Sequence, residues 1–135
     1  MLQRFFQKKK MVDQDQFTAG PYVAVWIGHH TSEEQLDDYL NSGRFSEEYR
    51  FALDDKMPPE VCVETSPRPL RELVHGFSCY ERFQDEFLAR AAELGINEAS
   101  SILVFHFMVY SPDGLPVAKH PEMRFVGNFW FEGFK

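Results

Sequence analysis

Val23-Ala24-Val25-Trp26-Ile27-Gly28 and, after His29-His30, Thr31-Ser32-Glu33-Glu34-Gln35-Leu36-Asp37-Asp38-Tyr39-Leu40 together decide the fold of this chain. The first run alternates Val23, Val25 and Ile27 with Tyr22, Ala24 and Trp26, and both sets are apolar. A strand that is apolar on both faces belongs inside a sheet, not at its edge. The second run starts with two N-capping side chains. Thr31 with Glu34 fits a capping box, and Glu33 and Glu34 suit the positive end of a helix. Leu36, Tyr39 and Leu40 make a narrow apolar stripe. Asn41, Ser42 and Gly43 end the helix.

Downstream, Tyr80, Phe83, Phe87, Ala91 and Leu94 recur at helical spacing, so residues 79–94 read as a core-facing helix capped by Ser78 and stopped by Gly95. Residues 101–110 and 124–132 read as two strands of a hairpin around Pro112-Asp113-Gly114. Gly127 marks a bulge or a close backbone approach. Between the helices, residues 44–70 are less regular. Phe45, Tyr49, Phe51 and Leu53 fit a strand or a short helix. Val61-Cys62-Val63 fits a short strand, and Leu70, Leu73 and Val74 fit one or two helical turns. Upstream, residues 1–20 show no sustained period and end at Gly20-Pro21, so they read as a flexible tail before one domain over residues 21–135. The expected fold class is α+β: a mainly antiparallel sheet with helices packed on one face.

With 135 residues the chain is long enough for one core, and its 14 phenylalanines make that core Phe-heavy. No apolar run approaches the ~20 residues that span a bilayer. Lys8, Lys9 and Lys10 follow Phe5 and Phe6 where a secretory segment would need an apolar block, so a cytoplasmic location is expected. Cys62 and Cys79 lack the spacing of a metal or redox pair and read as reduced thiols. The chain carries −7, of which residues 1–10 contribute +4, so residues 11–135 carry −11. Such a body is repelled by nucleic acid and by anionic membrane, and suits a basic protein partner.

No nucleophile elbow, P-loop or dinucleotide fingerprint is present. His29 and His30 follow the first strand, but adjacent histidines point apart. His75, His106 and His120 are scattered, so neither a metal nor a cofactor is expected. The carboxylates Glu33, Glu34, Asp37, Asp38, Glu47, Glu48, Asp54 and Asp55 sit in polar runs. Either they form a solvated face or they recognise a basic partner. Tyr39, Phe45, Tyr49 and Phe51 lie among them, and exposed members of that set would supply apolar anchors.

Three segments resemble the immunity protein 22 family, small bacterial proteins encoded beside polymorphic toxins. They are the opening strand with Trp26 and Gly28 and its acidic helix ending in Tyr39-Leu40; Leu73-Val74-His75-Gly76-Phe77-Ser78 running into the helix with Phe83; and Ile102-Leu103-Val104-Phe105-His106-Phe107 to Tyr110 with Phe125-Val126-Gly127-Asn128-Phe129. Residues 44–68 depart from the family's pattern. The resemblance implies a non-catalytic intracellular antidote that binds and neutralises a cognate toxin, often a nuclease. Glu33, Glu34, Asp37, Asp38, Tyr39, Phe45, Glu47, Glu48 and Tyr49 are the expected contact set. The alternative is a small ligand-binding or enzymatic domain with a pocket near Trp26, His29, His30 and His106.

Overall fold

The computed structural model describes residues 11–131. In chain order the elements are β1 (Val12–Asp13), a 3-10 turn (Gln14–Phe17), β2 (Thr18–Gly28), α1 (Glu33–Asn41), α2 (Arg44–Tyr49), β3 (Phe51–Ala52), β4 (Glu60–Pro69), α3 (Leu70–Val74), α4 (Tyr80–Glu93), β5 (Glu98–Met108) and β6 (Arg124–Trp130). The fold is α+β. Its main sheet has the order β4-β5-β2-β6 with every neighbour antiparallel. The doubly apolar strand β2 is an inner strand, as its alternation requires.

That alternation divides the core. Val23, Val25 and Ile27 pack with Leu73, Phe83, Phe87 and Ala91 of α3 and α4. Ala24 and Trp26 pack on the other face with Leu36, Tyr39, Phe45 and Tyr49 of α1 and α2. The helices expected on one face therefore cover both, because β2 and β5 present apolar side chains in both directions. Trp26 centres the second cluster, at 5.3 Å from the Phe45 ring, 5.4 Å from Tyr49 and 5.3 Å from Phe105, with steep interplanar angles. Edge-to-face pairs of this kind contribute about 0.5–1.5 kcal/mol each beyond their buried area.

Three local expectations are corrected. First, β5 and β6 are both in the sheet but do not form a hairpin: β2 lies between them and pairs with each. Because both are antiparallel to β2, β5 and β6 run parallel to each other, and residues 109–123 carry the chain back from the Thr18 end of β2 to its Ile27 end, a crossover that no tight turn could make. Second, residues 11–20 are not a tail. Val12 pairs with Phe51, Phe17 is buried in the Trp26 cluster, and Thr18 already belongs to β2. The apolar Val12 and Phe17 close the open side of that cluster; residues 1–10 lie outside the described part. Third, Ser78 does not cap α4. The cap residue is Cys79 in the left-handed region, while the Ser78 hydroxyl and amide both donate to the Glu60 carboxylate on β4.

At α1 the cap is Ser32, whose Oγ accepts from the Gln35 amide, and the Gln35 side chain accepts from the Thr31 amide. The capping box is thus shifted one residue from the Thr31–Glu34 pair. The bulge expected at Gly127 is present as a register shift between Val25 and Trp26 against β6. Cys62 and Cys79 are free thiols. Burial and then the Glu64 carboxylate push the Cys62 thiol pKa up. Among the described residues no helix is long and apolar enough to cross a membrane.

Candidate functional site

Two features share the end of the sheet where β2 gives way to α1. The first is a tie built on His30, which is 6% exposed. Its Nε2 lies 2.6 Å from Glu122 Oε2 and its Nδ1 3.1 Å from Ser101 Oγ. With the proton on Nε2, as the carboxylate partner requires, Nδ1 accepts from the Ser101 hydroxyl. Ser101 Oγ in turn accepts from the His30 amide. Arg44 then reaches Glu122 Oε1 through Nε at 3.4 Å and Asp38 through a terminal nitrogen at 3.0 Å. Those two acids hold its guanidinium pKa above the usual value.

Hydroxyl, imidazole and carboxylate stand here in the order of a hydrolytic triad, but the chemistry does not follow. A nucleophile must reach its substrate. Ser101 is fully buried, and a Cβ on Gly28 would stand 2.9 Å from both Ser101 Oγ and Met123 Cγ. The packing seals the hydroxyl. The group acts as a structural tie that fastens the Glu122–Met123 segment to the end of β2.

Beside the tie a cleft of about 620 Å³ opens, lined by Ile27, His29, Ile96, Glu98, Glu122 and Arg124 among others. A second hollow of about 330 Å³ adjoins it at His29, His30, Asp38 and Arg44. The four residues of the alternative pocket do not converge on either. Trp26 is fully buried in the aromatic cluster. His106 pairs with Val23, five strand residues from the Gly28–Ser101 pair and so roughly 17 Å along the sheet. Only His29, exposed, and His30, buried, meet there. Among the described residues no group of three or more His, Cys, Asp or Glu side chains is arranged to hold a metal ion.

The expected contact set splits in two. Glu33, Glu34, Asp37, Asp38 and Glu47 are exposed, and of these only Asp38 is in an ion pair among the described residues. Tyr39, Phe45 and Tyr49 are 0%, 0% and 3% exposed, so they are core residues and not anchors for a partner. Glu48 is half-buried and already engaged: it accepts from the Tyr39 hydroxyl and from the Glu122 amide. The Tyr49 hydroxyl donates to the Met123 carbonyl. Burial, and then the neighbouring Glu48, push the Tyr39 hydroxyl pKa far above its usual value. Burial does the same for Tyr49 and Tyr110.

Sequence reasoning missed Ser101, Glu122 and Arg44. The one available signal was Ser100-Ser101 at the head of an apolar strand, where a buried hydroxyl demands a partner. No family model matches the chain, and neither a characterised protein nor a solved structure matches it at a significant level.

Proposed function

We propose that the chain is an immunity protein of the cytoplasm that binds and neutralises a basic toxin through its acidic surface and performs no catalysis itself. The observation that carries this is the state of the α1–α2 carboxylates: Glu33, Glu34, Asp37 and Glu47 are exposed and outside any ion pair among the described residues. They stand on a body of −11. By contrast, Glu122 is ion-paired with Arg44 and bonded to His30, and Glu48 accepts hydrogen bonds from the Tyr39 hydroxyl and the Glu122 amide. Unpaired carboxylates in water can steer a basic partner toward the surface. A nuclease is the toxin chemistry this charge fits best, because a nuclease must be basic where it holds its polyanionic substrate. The three resembling segments support the same reading.

The test is reconstitution with the product of the adjacent gene. The two proteins are expected to form a stoichiometric complex, and the complex is expected to lack the toxicity of the free partner. A partner that remains free and toxic in the presence of excess immunity protein refutes the reading.

A further inference from the structure

At the opposite end of β2 from α1 the surface has a different character. Phe107 is 49% exposed and Met57 is 41% exposed, and the two line one small hollow of about 10 Å³. Phe107 sits in the left-handed backbone region at φ +60, which a bulky side chain disfavours. It is the single β5 residue between the Val23–His106 and Thr18–Met108 pairs, where four β2 residues bulge past it. A bulge re-aims a side chain, and here it sets the Phe107 ring edge-to-face on Phe131 at 5.4 Å with about half of the residue in solvent.

Around these apolar groups stand Asp13, Asp15, Asp54 and Asp55, which line the same and the adjoining hollow with Lys56 the one cation among them. None of the four is in an ion pair among the described residues. Their placement is built. Gln14, 7% exposed, donates to the Met57 carbonyl at 2.9 Å and accepts from the Asp54 amide at 2.8 Å, locking the two segments together.

We infer that Phe107 and Met57, with Asp15 and Asp54 in the same hollow and Asp13 and Asp55 in the adjoining one, form the docking surface for a basic protein partner; this rests on the reading above that the chain captures one. Interfaces draw most of their affinity from a few apolar or aromatic anchors inside a polar rim. The α1–α2 face has free acids but has its aromatics buried. The Phe107 surface has both components. Its four carboxylates oppose nucleic acid and anionic lipid and attract lysine and arginine. The occupant it fits is a basic surface that presents an apolar side chain among cations.

The experiment is biosensor kinetics against the immobilised product of the adjacent gene. Phe107→Gly suits the left-handed backbone, so with Met57→Ser it removes both anchors; the Phe131 ring contact is lost with them, and a cooperative urea transition with native circular dichroism checks that the variant is folded. This variant is expected to raise the dissociation rate at least about tenfold, the loss typical of an anchor pair. Asp13→Lys with Asp15→Lys and Asp55→Lys is expected to slow association. Glu33→Lys with Glu34→Lys and Asp37→Lys is expected to leave dissociation within about twofold, as for rim charges. Faster dissociation in the α1 variant, with none in the Phe107/Met57 variant, overturns the inference and leaves the proposed function standing. If the unmutated protein does not bind, the proposed function fails, and NMR titration with a peptide of alternating lysine and leucine decides the surface. Shifts centred on residues 13–15, 54–57 and 107 support it; shifts elsewhere or none overturn it.

Discussion

His30 and Glu122 meet at 2.6 Å across 92 residues of sequence, and this contact ties the β5–β6 connection to the end of the central strand, beside the bonds that hold it to α2. The imidazole has no spare nitrogen, since its other one faces Ser101. His30→Ala leaves the Ser101 hydroxyl without its acceptor in a sealed site. It is expected to cost about 1–3 kcal/mol in urea unfolding, the range for an orphaned buried polar group. His29→Ala, at an exposed position, is expected to stay within about 0.5 kcal/mol. Equal small losses for both would show that the tie holds nothing.

Phe87 is fully buried between α4 and the sheet, with its ring 6.0 Å from that of Phe129. Phe87→Ala is expected to cost about 3–5 kcal/mol. A loss under about 1 kcal/mol in the same measurement would mean that α4 does not pack through its Tyr80–Leu94 stripe.

Tyr39, Tyr49 and Tyr110 are buried with hydroxyl pKa values raised well above the usual ~10 of a free tyrosine. Above that pH the unfolded chain releases these protons first, so the folded state holds more protons and stability falls as pH rises. Below it the three groups contribute no pH dependence. The expected slope is up to about 1.4 kcal/mol per pH unit for each tyrosine that remains protonated. Urea midpoints from pH 8 to 11 check this, alongside the ultraviolet signal of tyrosinate. If the three ionise near pH 10 while the protein stays folded, the burial of the Trp26 cluster is wrong.

What was legible in the sequence was periodic. The two apolar faces of β2 and the stripe from Tyr80 to Leu94 each report burial through local spacing, and each is in the core. The misreadings came where burial is decided by distant partners. Phe45 and Tyr49 stand four apart with acids between them, which is one turn of an amphipathic helix. They looked like anchors among carboxylates because α2 has only six residues to show its period. The β5–β6 hairpin failed because pairing depends on β2, which is far away in sequence and takes both strands as neighbours. The His30 tie was invisible for the same reason, with partners 71 and 92 residues away. Asp13 and Asp15 have no local period to mark them as part of the fold; Phe17 in the core and the Gln14 bonds to Met57 and Asp54 place them against it.

The charge reading is tested by kinetics at controlled salt. If an acidic surface steers a basic partner, the effect acts on approach and is screened as the Debye length falls from ~10 Å at 0.1 M salt to ~3 Å at 1 M. The measurement is the association rate of this protein with the product of the adjacent gene across that range. A fall of at least about tenfold, with the dissociation rate nearly constant, is the predicted result. An association rate that does not change with salt would contradict the account.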